Sequence, residues 1–348
     1  MSPVTVKQRL AQAGITLKEP VSPLPPASPW FVRALQAFSG WLAALFLLGF
    51  IATAVVFVLE SLLVSLVVGG ALIGGAFALL RATRSDVLEH MALAFSLAGQ
   101  LLVAWPAVEI WGVTANLWWA LLVFQSVLAL VMPSQVHRSL SAFSASLALV
   151  MALSAIGLTQ GAAEAVLLAM TWLWLNEYRW PKRIRAVQAW GFGLLTSLLV
   201  LQGVDVSGLL VEFNDSNTQW GLWLPAGLSA CLVALALVCV IHQAFRQHAA
   251  PVMAPRLAIY AAVALVAVMS VYMPGLGVGV VVLFLGFVVA HRVVMASGIL
   301  MLLVAVSRYY YSLEATLLVK SLMLLAMGIL LLSIRWGLKR WLGVANEP

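Results

Sequence analysis

Leu62 to Leu80 reads LLVSLVVGGALIGGAFALL, a run without one ionisable side chain, bounded by Glu60 and Arg81. A helix of that length rises roughly 28 Å, close to the ~30 Å hydrocarbon core of a bilayer. Runs of this kind recur along the chain from Leu35 to Leu342. With 64% hydrophobic residues, 9% charged residues and a mean hydropathy of +1.06, the 348-residue chain lies outside the composition of soluble domains. Water cannot solvate such a surface, and one soluble core cannot bury it.

The spacing of apolar runs predicts an all-α, polytopic transmembrane helical bundle of about twelve helices. They are expected near 35–58, 62–80, 88–104, 114–132, 139–158, 163–177, 187–203, 221–242, 257–273, 276–290, 293–307 and 316–334. Residues 1–30 form a cytoplasmic amphipathic segment and a proline-rich linker, 31–342 the transmembrane domain, and 343–348 a short cytoplasmic tail. Within the first segment, Val6, Leu10 and Ala13 fall at the spacing of one helical face. Pro20 to Pro29 is a stiff, extended linker. No cleavable signal is expected, and the run from Leu35 reads as an uncleaved anchor.

Charge tests this map. With the N-terminus in the cytoplasm, inward connections hold Arg81 and Arg84, Arg138, then Arg179, Lys182, Arg183 and Arg185. Arg246 and Arg256, Arg292, and the tail residues Arg335, Lys339 and Arg340 continue the pattern. Outward connections hold Glu60, Glu109, Glu164, Asp205, Glu212, Asp215 and Glu314, with Arg308 as their one basic residue. This is the positive-inside bias of a bacterial inner-membrane protein with both termini cytoplasmic. The same bias accounts for the net charge of +7, so nucleic acid is not an expected partner. Trp105, Trp111, Trp180, Trp220, Trp336 and Trp341 fall near the expected interfaces.

Cys231 and Cys239 lie eight residues apart, about 12 Å along a helix, too far for a disulfide, and read as small buried hydrophobes. No metal or cofactor is expected: His242 and His291 end helices without a partner spacing for a metal. Glu89 and His90 sit where a helix leaves the interface, and Glu164 near a helix N-terminus, where the dipole favours a carboxylate. In the second helix, Gly70 and Gly74 form a GxxxG step suited to helix packing. Pro274-Gly275 reads as a tight turn. Gln100, Asn116 and Gln125 are the main polar residues inside the expected helices.

Lys320 stands apart, because it lies in the last helix between apolar neighbours and a charge there costs about 2.5–3.5 kcal/mol. Thr316 is one turn away and Tyr309 falls on nearly the same stripe, whereas Glu314 lies over 200° round an ideal helix at ~100° per residue. Lys320 therefore either snorkels to the interface or meets an acceptor from another helix.

The segment Arg308 to Ser321 (RYYYSLEATLLVKS), with Gly328 and Arg335 beyond it, resembles the C-terminal signature of uncharacterised bacterial multi-pass membrane families known only as domains of unknown function. Arg9 to Gly14 (RLAQAG) is similar to their short leading helix. The resemblance implies an inner-membrane location and no activity, and it marks Tyr309, Tyr310, Thr316, Lys320 and Ser321 as positions of interest. The function expected is that of a non-enzymatic component of an envelope assembly, in contact with lipid and an envelope membrane protein. A small-solute transporter or channel is the alternative. An intramembrane enzyme would need a nucleophile with its base, or a metal cluster, and the sequence offers neither.

Overall fold

The computed structural model describes residues 61–82, 86–203, 223–247 and 253–312, together with single residues between 29 and 46 and between 318 and 332. Among the described residues every regular element is helical. The α-helices are α1 (Leu62–Ala82), α2 (Asp86–Trp111), α3 (Ala115–Val131), α4 (Gln135–Ala155) and α5 (Thr159–Leu175). Two 3₁₀ turns, Glu177–Arg179 and Pro181–Arg183, lead into α6 (Ile184–Gly203). Then come α7 (Trp223–Gln247), α8 (Met253–Tyr272), α9 (Leu276–Val288) and α10 (Arg292–Ser312). The expected helices at 35–58 and 316–334 fall largely outside the described residues.

Among the described residues, six segments are long and apolar enough to cross a membrane: Leu62–Ala82, Val87–Trp111, Gln135–Ala155, Pro181–Gly203, Gly227–Gln247 and Arg292–Ser312. Four shorter apolar helices accompany them: Ala115–Val131, Gly161–Leu175, Ile259–Tyr272 and Leu276–Val288. The outward faces are apolar: Leu63, Leu101 and Phe287 are 72%, 74% and 73% exposed. Such a surface is favourable against acyl chains and costly against water. Helices long and apolar enough to span a membrane, with outward faces of this kind, are those of a chain suited to lipid.

The pairs α1–α2, α3–α4 and α9–α10 pack closely as hairpins, α4 packs on α6, and α5 on α7. The shared core, drawn from α4 to α10, holds Met170, Trp174, Leu198, Val233, Leu285 and Met301, all nearly or fully buried. Glycine sets the tightest approaches. A Cβ on Gly286 would strike the backbone of Met295 and Val294, and one on Gly298 the backbone of Leu283, so α9 and α10 lie almost backbone to backbone. The turn before α9 needs Gly275 at φ 89°, where an L side chain is strained, and Pro274 precedes it as expected.

One expectation is corrected here. Cys231 and Cys239 are both exposed rather than buried. Eight residues turn a helix by about 80° net, so both remain on the outward side of α7 near Leu235 and Val238. Gly70 and Gly74 have nothing within 4 Å of an added Cβ among the described residues. The close approach lies one step round the helix at Gly69, whose added Cβ would sit 2.7 Å from the Gly99 carbonyl of α2. Gly99 meets Gly69 in the same way, so the packing motif is a pair of single glycines on two helices.

Helix α2 also runs past its expected end near residue 104, through Pro106 to Trp111. Proline has no N–H for the carbonyl four residues back, which here is Leu102. Ser65 of α1 donates its hydroxyl to that carbonyl at 2.7 Å, and the helix continues.

Candidate functional site

The α3–α4 hairpin closes tightly. Met132 caps α3 through its N–H to Leu128, Pro133 prevents the helix continuing, and the Ser134 hydroxyl accepts from the His137 N–H. Ser134 also donates to the Glu89 carboxylate of α2 at 2.5 Å, and Arg138 Nε donates back to the Met132 carbonyl at 2.5 Å. This turn places His137 in the first turn of α4, only 1% exposed and facing α2.

A chain of buried polar side chains runs through His137. Gln125 of α3 donates through Nε2 to Gln100 Oε1 at 2.9 Å, and Gln100 Nε2 lies 3.2 Å from Ser96 Oγ. Ser96 Oγ is 2.7 Å from His137 Nε2, and Ser141 Oγ is 3.2 Å from His137 Nδ1. The Gln100 amide also lies 3.4 Å from His137 Nε2. An NH₂ group only donates, so Nε2 is the acceptor, Ser96 donates to it, and Nδ1–H donates to Ser141. The hydrogen bonds therefore run one way, from α3 through α2 to α4. Gln125 Oε1 ends the chain, buried and with no partner among the described residues.

The chain fastens helices more readily than it passes protons. Two of its links are carboxamides, which neither take up nor release a proton under ordinary conditions. The α1–α2 hairpin meets the bundle through a narrow seam. The contacts of Ser96, Gln100 and Glu89 with α3, the α3–α4 turn and α4 provide polar fastening along it.

A second polar knot lies between α6 and α10. Arg308 Nη1 donates to the Gln202 carbonyl at 3.1 Å, and Gln202 Nε2 donates to the Gly275 carbonyl at 3.0 Å. Arg308 thus supplies a cation to the C-terminal carbonyls of α6, where the helix dipole favours one. Glu164 accepts from Ser229 at 2.8 Å, linking α5 to α7. Trp174 packs on Phe192 and on His291, with ring centroids 5.4 and 5.2 Å apart, over the bare backbone of Gly191.

Two open spaces adjoin one another. A half-open groove of about 780 Å³ has walls of Ala142, Ala145, Ala165, Ala169, Leu194 and Leu235. A crevice of about 930 Å³ is lined by Arg138, Lys182, Arg183, Arg185, Trp180 and Trp190. Neither is lined by His137, Gln100 or Gln125.

Among the residues singled out from sequence, Tyr309 is 38% exposed and Tyr310 packs edge-on against Tyr311 at 5.6 Å. Ser321 Oγ donates to the Leu318 carbonyl at 2.8 Å. Glu314, Thr316 and Lys320 lie outside the described residues. Gln100 and Gln125, noted from sequence as isolated polar residues, are brought together. Ser96, Ser134, His137 and Ser141 were missed. The available signal was spacing: Ser96–Gln100 and His137–Ser141 are both four residues apart, on single helix faces. Among the described residues no three His, Cys, Asp or Glu side chains converge as metal ligands.

Comparison with curated proteins and with solved structures finds no match. Residues 29–341 match the family described as a domain of unknown function, DUF4401. That match covers most of the 348 residues and includes the tyrosine-rich C-terminal segment, and the chain belongs to the DUF4401 family.

Proposed function

We propose that this chain is a bacterial inner-membrane protein that crosses the bilayer about twelve times, with both termini in the cytoplasm, and serves as a non-enzymatic component of an envelope assembly. Support for the orientation comes from the alternation of basic and acidic connections. The observation that carries the assembly reading is the buried chain through His137, whose polar groups bond mainly to each other rather than line an open passage. The thin connections and the amphipathic Thr5 to Gly14 segment point to a protein partner met at the cytoplasmic surface.

Extraction into native-lipid nanodiscs, followed by mass spectrometry of co-purifying proteins, tests this reading. A stoichiometric protein partner, lost when Thr5 to Gly14 is deleted while insertion persists, is the expected result. A chain that emerges without a protein partner overturns it.

One observation favours transport as a second reading. Gln125 Oε1 is a buried acceptor with no partner among the described residues, a group a polar solute can engage. On that reading a small molecule co-purifies, and Lys320→Met, normally inserted, abolishes its binding or movement.

A further inference from the structure

We propose that the basic crevice and the apolar groove beside it form one binding site for an anionic phospholipid, with the phosphodiester in the crevice and an acyl chain along the groove. Two elements supply the crevice. Arg138 comes from the start of α4, while Lys182, Arg183 and Arg185 come from the turn that opens α6. Among the described residues no carboxylate pairs with any of the four. The carboxylate in this connection, Glu177, is only 2% exposed and accepts from Gln188 at 2.6 Å. Four cations thus line one concavity with no carboxylate partner among the described residues.

The positive-inside bias accounts for all four residues lying on one side of the membrane. It does not account for Arg138 converging on the same space from another helix, nor for where the space leads. Leu173 and Trp190 line both the crevice and the groove, so the charged and apolar walls are continuous. Small residues on α4 and α5, among them Ala142, Ala145, Ala165 and Ala169, hollow out the groove. Trp180, packed against Trp172 with centroids 5.7 Å apart, stands at the junction, where an amphipathic ring favours the headgroup level. Arg138 is held in place by its bond to the Met132 carbonyl. A cationic mouth opening into an apolar trough complements a lipid, whereas a soluble anion would use only the mouth.

The site rests on the helices lying in lipid, not on the assembly reading, so absence of a protein partner leaves it standing. The test uses the purified full chain in detergent, offered phosphatidylglycerol or phosphatidylcholine of the same acyl chains and followed by native mass spectrometry. Preferential retention of phosphatidylglycerol is expected. Combined Lys182→Gln, Arg183→Gln and Arg185→Gln weakens that retention about tenfold or more, whereas Arg81→Gln with Arg246→Gln, exposed charges elsewhere, leaves it unchanged. Ala169→Phe, on an exposed position of the groove, weakens the long-chain lipid but not binding of glycerol phosphate. If the triple variant does not fold, Lys182→Gln alone serves, with a smaller loss. Equal retention of the two lipids, or retention unaltered in these crevice variants, overturns the proposal. So does displacement of the lipid by glycerol phosphate with Ala169→Phe silent, the result expected of a site for small anions.

Discussion

Ser65 Oγ donates to the Leu102 carbonyl at 2.7 Å, the acceptor that Pro106 leaves without its helical N–H. One hydroxyl on α1 thus repairs a defect on α2. In hydrocarbon no water can take that place, and an unpaired carbonyl there is costly. Ser65→Ala is expected to destabilise the protein by about 1 kcal/mol. Pro106→Ala restores the N–H, so Ser65→Ala should cost much less in that background. Thermal denaturation of the four proteins in one detergent checks this. Equal costs of Ser65→Ala in both backgrounds would show that the hydroxyl does not act through the Leu102 carbonyl.

One turn further along, the same two helices touch at Gly69 and Gly99. A side chain at either must displace the facing backbone oxygen, which cannot swing aside as a flexible side chain does. Gly69→Leu and Gly99→Leu are expected to lower stability by about 1–3 kcal/mol, the range of overpacked cores. Gly70→Ala, with nothing within 4 Å among the described residues, should leave stability unchanged or raise it by up to about 1 kcal/mol, the preference of a helix for alanine over glycine. A melting temperature for each variant decides it. If Gly70→Ala is the more damaging, the interface is assigned to the wrong face of α1.

Much of the fold was legible because the dominant signal, uncharged runs about as long as a bilayer is thick, depends on no partner. The helices expected at 62–80, 114–132 and 187–203 lie within a few residues of α1, α3 and α6. What stayed hidden depends on rotation about the helix axis. The sequence holds a GxxxG step at Gly70 and Gly74, but the pattern does not say which glycine faces α2. A lipid-exposed cysteine and a buried one have the same apolar neighbours, so Cys231 and Cys239 were misread. The helix expected over 88–104 stops short of Pro106, whose compensating hydroxyl is 41 residues earlier. In the polar chain, Gln100 and Gln125 stood out as amides among leucines, whereas His137 beside Arg138 read as part of a loop.

The polar chain through His137 predicts coupling between helices. Gln125→Leu removes the donor to Gln100 Oε1, and Gln100→Leu removes both that acceptor and the neighbour of Ser96. If the two amides act on each other, the double variant is less damaged than the sum of the singles, with a coupling of about 0.6 kcal/mol. Gln100→Leu should also weaken the hold of the α1–α2 hairpin on α4, seen as faster proteolysis near Gly112. Strict additivity, with unchanged proteolysis, would mean the observed bonds are not formed in the membrane.

Cys231 and Cys239 give a direct test of which surfaces meet lipid. Both are exposed on α7, about 12 Å apart along its axis, on a side shared with Leu235. A charged, water-soluble maleimide is excluded from hydrocarbon, so it should label neither residue in intact membranes. Lipid-soluble maleimides partition to the site, and slow labelling of both is expected. In denaturant both should react quickly with either reagent. Rapid labelling of Cys239 alone by the water-soluble reagent would instead mean that the groove it lines beside Gln243 admits water. That outcome would count against an acyl chain occupying the groove and in favour of an aqueous vestibule.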